Sequence, residues 1–391
     1  MSRAALASLL LAAPFVAACR NASGDGGSAG AALVPNAAGM NGCSGPAQTF
    51  TAPQSTSTVT LTTFVATDDS ALAAAGDAEL LYATGANGTV VAIDVSGATP
   101  VETELVSSGA VAALLSFAGI SDAPALGAIA VLDADTLLVQ ERTSNTLLSV
   151  DRATPNTLGF WAGEPNIVPG FADGAATGSA GRARFSFTET SAICPTGEAT
   201  PRVFVADPGN HAVRVVEGGF VRTVAGQGLA LFADGSLSSV YFDTPTGLAL
   251  SCANGLVVSE RGANGYGNRL RAITVGAPSP FGGFFGSSTT LAGDGTAATT
   301  EGASLAGAQL DAPVAPFVTS TGEFYWIDSE SGVLRRRALD GTCDCPLAVD
   351  CATAVGAPDF PAGHAFSLTE TAGGVLYVLD ATAGVLHRVT P

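Results

Sequence analysis

The chain has 391 residues, with 34 Asp and Glu against 16 basic residues that are all Arg, and a formal charge of −18. A surface this acidic repels phosphate backbones and anionic headgroups, which excludes nucleic acid and electrostatic membrane binding. The absence of Lys removes Schiff-base chemistry and a P-loop lysine, while 47% hydrophobic residues suffice to bury a large core.

The chain begins with one early cation, Arg3, and an apolar stretch from Ala4 to Ala18 that is too short for a permanent membrane span. This pattern predicts a secretory signal sequence over residues 1–18. Val16-Ala17-Ala18-Cys19 resembles the lipobox of bacterial lipoproteins. The resemblance implies cleavage before Cys19, lipidation of its sulfur and an extracytoplasmic place in a bacterial cell envelope. Arg20, where Asp would favour inner-membrane retention, points to the outer membrane rather than the inner. Residues 19–45, rich in Gly, Ala and Ser, predict a flexible tether, and residues 46–391 the folded body. No second long apolar run follows, so membrane contact is expected through the N-terminal lipid only.

The body opens with an unpaired strand-like segment, STVTLTTFVA (57–66). A repeated pattern follows: LLYATGANGTVVAIDV (80–95), LLVQERTSNTLLSVDR (137–152), VFVADPGNHAVRVVE (203–217), LVVSERGANGYGNRLRAITV (256–275), FYWIDSESGVLRRRAL (324–339) and LYVLDATAGVLHRVT (376–390). In each copy an apolar run reads as a buried strand, a polar cluster as a turn, and an alternating segment as the next strand. The residue closing the run is Thr84, Glu141, Asp207, Glu260, Asp328 or Asp380. Flanking segments add a strand before the run and one ending in Ala-Gly after it, so each unit of roughly 60 residues holds about four antiparallel strands. Helical periodicity is absent beyond the signal sequence.

The stretch VADPGNHAVRVVEGGFVRTVAGQGLALFADG (205–235) is similar to the NHL-repeat family at Asp207, Gly209, Asn210, Val213 and Ala225-Gly226. The resemblance implies an all-β fold, a β-propeller of six blades of four antiparallel strands. Sheets stacked radially cover one another's faces, which a single sheet cannot do. Because the last copy stops before its final strand, the segment at 57–66 is expected to complete that blade and close the ring. Asp207 to Asn210 form the turn between two inner strands, where Asp207 is expected to cap by side-chain hydrogen bonding and Gly209 to take positive φ. Glu260, Asp328 and Asp380 hold the corresponding place.

Residues that could carry chemistry mostly read as structure. Glu141, Asp207, Glu260, Asp328 and Asp380 could form a carboxylate ring for a divalent cation, as in propellers resembling calcium-dependent lactonases, but recurrence in nearly every blade suits a turn residue better. The loops Asp173-Gly174, Asp234-Gly235 and Glu301-Gly302 read as β-turns. His211, His364 and His387 show no zinc-ligand spacing, and no metal site or cofactor is expected. Cys43, Cys194, Cys252, Cys343, Cys345 and Cys351 are disulfide candidates in an oxidising compartment, with Cys194 and Cys252 in equivalent slots of adjacent blades. Arg335, Arg336 and Arg337 read as a solvated or salt-bridged strand, and Trp161 and Trp326 as packing between blades. The reading is a monomeric, lipid-anchored binding or interaction scaffold for a protein, peptide or glycan. The alternative is a metal-dependent hydrolase or lyase with its site in the propeller channel.

Overall fold

The computed structural model describes residues 55–75, 78–178, 181–196, 201–251, 255–278, 283–298, 308–319, 323–337, 343–344 and 359–390. The signal sequence, Cys19, the tether, Cys43, Cys252, Glu301, Cys345 and Cys351 lie outside these residues.

After a first strand, β1 (Ser55–Val59), the chain lays down its sheets in succession. Blade 1 holds β2 (Leu72–Ala74), β3 (Leu80–Gly85), β4 (Thr89–Asp94) and β5 (Val101–Val106). A helix, α1 (Ser108–Phe117), precedes blade 2, formed by β6 (Leu126–Val131), β7 (Thr136–Glu141), β8 (Thr146–Asp151) and β9 (Leu158–Ala162). Blade 3 adds a two-residue β10 (Gly174–Ala175) outside β14 (Phe220–Ala225), then β13 (Ala212–Glu217), β12 (Val203–Asp207) and β11 (Ile193–Pro195). Blade 4 repeats that plan with β15 (Gly235–Ser236), β16 (Pro245–Ser251), β17 (Gly255–Glu260), β18 (Arg269–Pro278) and β19 (Phe284–Ala292). Blade 5 consists of β20 (Pro313–Val318), β21 (Phe324–Asp328), β22 (Val333–Arg337) and β23 (Cys343–Asp344). Blade 6 has β24 (Phe366–Glu370), β25 (Leu376–Asp380) and β26 (Val385–Thr390), and β1 supplies its outermost strand.

The molecule is a six-bladed β-propeller. β1 pairs with β26 in antiparallel register from Ser55↔Thr390 to Val59↔Leu386, which joins the start of the chain to its last blade. The closing strand is thus 55–59, slightly upstream of the expected 57–66.

Alternation within the apolar runs explains the packing, because successive side chains leave opposite faces of a strand. On β12, Phe204 and Ala206 enter the core shared with blade 4, whereas Val203 and Val205 enter the one shared with blade 2. On β21, Phe324 and Trp326 face blade 4, and Tyr325 and Ile327 face blade 6. Trp326 therefore packs between blades, and Trp161 lies partly buried between blades 2 and 3.

The helix α1 departs from the all-strand expectation. The Ser107 hydroxyl accepts from the Ala110 N–H at 3.4 Å as an N-cap, and Val111 and Leu115, one turn apart, are the buried anchors. Two anchors among small residues leave too short a stripe for helical periodicity to show in the sequence.

The connection from β1 to β2 is clamped by Glu102 of β5. Its Oε1 accepts from the Thr62 N–H and hydroxyl at 2.5 and 3.0 Å. Its Oε2 accepts from the Thr63 N–H at 2.9 Å, the Thr63 hydroxyl at 2.6 Å and the Phe64 N–H at 2.6 Å. Partial burial alone would raise the pKa, but these donors outweigh it and hold the carboxyl at about 2, below its usual 4.5. The ionised group therefore stabilises the fold fully above about pH 4.5, and its contribution is lost as the pH falls toward 2. Glu102→Ala is expected to cost about 1–2 kcal/mol at pH 7, after allowance for solvent screening. Thermal melts at pH 7 and pH 2.5 should show the gap between variant and wild type narrowing in acid.

Candidate functional site

The antiparallel order places two sets of loops at one end of the propeller: the approaches to the innermost strands β2, β6, β11, β16, β20 and β24, and the turns between second and third strands. Those six strands surround a central cavity of about 370 Å³. The recurring acids closing the second strands do not line it; they are committed within the sheets.

Three blades commit them alike. Arg214 on β13 stands opposite Val205, Arg271 on β18 opposite Val258, and Arg335 on β22 opposite Trp326, each two residues before the closing acid. All three Arg side chains are fully buried. Arg214 reaches Asp207 at 2.9 Å, Arg271 reaches Glu260 at 2.7 Å, and Arg335 Nε stands 2.7 Å from Asp328. Asp173 gives Arg214 a second carboxylate at 2.8 Å, and Asp234 gives Arg271 one at 2.5 Å. Phe171 and Phe232 lie over the same guanidiniums, with ring centroids at 5.1 and 4.9 Å. The repeated Phe-Ala-Asp-Gly text at 171–174 and 232–235 therefore encodes an aromatic cover and a counter-ion, a role beyond the β-turn expected of those loops. Burial pushes the Asp207 carboxyl above its usual range although Arg214 opposes it. By the same balance Glu260 is pushed up to about 8 and Asp328 to about 7.

The turn chemistry expected at 207–210 is corrected by this arrangement. Asp207 bonds to no backbone N–H of its own turn; it accepts from the Ser186 N–H at 2.9 Å, Asn210 Nδ2 at 2.8 Å and Arg214. Positive φ falls on His211, at 47°, rather than on Gly209. Glycine is needed at 209 for close approach, since a Cβ there would sit 2.2 Å from Ser186 Oγ. Arg336, expected on the opposite face from Arg335, is buried and stands 3.8 Å from Glu323, so this strand is ion-paired rather than solvated. Cys194 is buried on β11 opposite Phe204, and Cys252, the disulfide candidate in the equivalent slot of blade 4, lies outside the described residues.

A second set of charged residues does reach the channel mouth. Asp69, before blade 1, contacts Arg142 of blade 2, whose other nitrogen donates to the Thr188 carbonyl at 2.9 Å, before blade 3. Thr190 returns a hydroxyl hydrogen bond to the Asp69 carbonyl at 3.0 Å. Arg261 of blade 4 spans Glu189 at 3.0 Å and Glu330 of blade 5 at 3.7 Å. In blade 6, His364 Nδ1 lies 2.9 Å from both oxygens of Asp380. The members of this belt come from all six blades, and Asp68, Asp69, Glu189, Arg261 and His364 line the cavity itself. Among the described residues, no three His, Cys, Asp or Glu side chains come together as a metal site.

Sequence reasoning missed most of this belt. The position after each closing residue carries no repeat signal: Gly85, Arg142, Pro208, Arg261, Ser329 and Ala381. A search for what varies beside what recurs would have found Arg142 and Arg261.

No protein-family model matches the chain, and no curated protein matches it in sequence. Solved structures do match. A candidate gluconolactonase superposes with a TM-score of 0.52 at 10% identity, over 87% of this chain and 93% of its own. A gluconolactonase from Xanthomonas campestris gives 0.51 at 12% identity, over 86% and 89%. A virginiamycin B lyase from Staphylococcus aureus gives 0.48 at 12% identity, over 86% and 99%. The likeness is one of fold. At such identities the two gluconolactonase superpositions speak for the β-propeller fold alone and leave the chemistry to the residues described above.

Proposed function

We propose that the chain is an extracytoplasmic NHL-type propeller, lipid-anchored at Cys19 to a bacterial envelope membrane, the outer in preference to the inner, and that it binds a protein or peptide partner across its mouth face. The observation that carries this reading is the pair of long loops leading into blades 3 and 4. They expose Ile167, Val168 and Phe171 from one loop and Leu229, Leu231 and Phe232 from the next, on the same end of the propeller as the charged belt. Phe171 also meets the second loop, since a Cβ on Gly228 would lie 3.2 Å from its ring. Exposed apolar side chains grouped beside a polar rim are the usual composition of a recognition surface. The net charge of −18 favours a basic partner.

The test is capture of envelope proteins on a soluble body comprising residues 46–391. One partner retained by wild type and lost with Ile167→Glu and Leu229→Glu is expected; equal retention by the double variant refutes the surface. A melting temperature raised by one divalent cation would instead support the channel hydrolase or lyase.

A further inference from the structure

Blade 6 breaks the pattern by which blades 3, 4 and 5 satisfy their closing acids. At the register position of Arg214, Arg271 and Arg335, opposite Val378, stands His387. Burial lowers the His387 pKa although Asp380 opposes this, and its ring packs edge-on against Phe360 at 5.2 Å. Asp380 therefore has no buried guanidinium and engages a different group. Its carboxylate, 1% exposed, accepts the Ala383 N–H at 2.9 Å and meets His364 Nδ1 at 2.9 Å through both oxygens. His364 precedes the innermost strand, lines the cavity and is 25% exposed.

A ring nitrogen held by a buried carboxylate fixes the orientation of an imidazole and, with Nδ1 as donor, leaves Nε2 as the basic atom. Among the described residues, Nε2 of His364 has no hydrogen-bond partner; Nδ1 meets Asp380, and the ring stacks with Phe366 at 6.4 Å between centroids. An oriented, unengaged basic nitrogen lining a cavity is the arrangement general-base catalysis requires. In blades 2 and 3 the closing acid accepts backbone N–H groups of Ala125 and Ser186 from the loop before the innermost strand, whereas in blade 6 the side chain that meets it from that loop is a titratable imidazole.

We propose that His364, oriented by Asp380, is the general base of a hydrolytic site at the channel mouth, acting on small uncharged carboxylic esters, open or cyclic. Nε2 takes a proton from water as its oxygen bonds to the acyl carbon. The tetrahedral intermediate collapses with cleavage of the acyl C–O bond, and the imidazolium returns its proton to the departing alkoxide. Ester and water become acid and alcohol, and no oxidant, reductant or metal enters the balance. The substrate class follows from the walls. Ala71, Ala128, Ile129, Leu248 and Pro316 make much of the cavity apolar, and its size of about 370 Å³ suits a small molecule. Asp68, Asp69 and Glu189 at the rim outnumber Arg261, which disfavours an anionic substrate and expels the carboxylate product.

The test is hydrolysis of phenyl acetate and of unsubstituted five- and six-membered lactones by the purified body in EDTA, followed by proton release. Wild type is expected to turn over at least one of them with kcat/KM rising as a single base loses its proton. His364→Gln should lower kcat/KM about 100-fold or more and abolish that limb of the pH profile. His387→Gln, outside the proposed site, should retain both. Asp380→Asn should reduce kcat while leaving KM close to wild type, with folding checked by its melt. Carbethoxylation of wild-type histidine, followed by hydroxylamine, gives a second readout that needs no variant: activity should disappear and return. No turnover of any of these esters by wild type, or full activity in folded His364→Gln, overturns the proposal. Partner capture is measured separately and does not depend on this outcome.

Discussion

Deleting residues 55–59 is expected to abolish the single cooperative melt of the propeller and to drive it into aggregates, visible by size-exclusion chromatography. Five residue pairs join β1 to β26, and with them goes the cover over one edge of blade 6. An unpaired edge presents free N–H and C=O groups to other chains. The loss extends inward, because Val59, Leu61 and Phe64 pack against the core between blades 6 and 1. The register supplies a rescue. Ser55 pairs with Thr390, so the same five residues appended after Thr390 through a two-residue turn would form a hairpin in the native register. That permuted chain should recover the cooperative melt. If deletion leaves the melt and the elution volume unchanged, closure by β1 contributes little.

Arg271→Leu is expected to destabilise the fold by about 3–5 kcal/mol, the loss typical of breaking one side of a buried ion pair. The substitution leaves Glu260 fully buried without its cation and removes the counter-ion of Asp234. It also removes the group beneath the Phe232 ring. Adding Glu260→Gln to Arg271→Leu should change the loss little at pH 7, since the Glu260 carboxyl, already pushed up to about 8 beside its cation, is neutral without it. Arg261→Leu, one residue beyond Glu260 in sequence but half exposed at the mouth, should cost about 0–1 kcal/mol, as surface ion pairs do. Urea unfolding of the four proteins checks all of these differences. Equal losses at positions 261 and 271 would refute the distinction between a belt at the surface and pairs within the sheets.

The strand rhythm was legible because two-sided burial writes it directly: residues such as Val203 to Ala206 are apolar on both faces since each face meets a neighbouring blade. Closure was legible for a similar reason, as a final copy one strand short demands a strand from elsewhere. The partners of the closing acids were not. Arg214 lies seven positions after Asp207, whereas Arg271 lies eleven after Glu260, because the longer turn of blade 4 shifts the sequence spacing while the register stays fixed. The mouth was hidden for the opposite reason. Asp69, Arg142, Glu189 and His364 come from different blades and share no local pattern, so only the closed ring assembles them.

The closing strand also sets an order of events in time. Ser55 and Thr390, which face each other across blade 6, are 335 positions apart. During synthesis from the N-terminus, five sheets can form from strands already made, while the sixth waits for the last residues and then needs the first strand, made long before. Loop closure over that distance is the most entropically costly pairing in the molecule and is expected to come last. His364 and Asp380 lie in that sixth sheet, so the dyad matures only when both ends of the propeller have met. A chain truncated at either end would still form most of its blades, yet it would lack the completed sheet that holds the histidine in place.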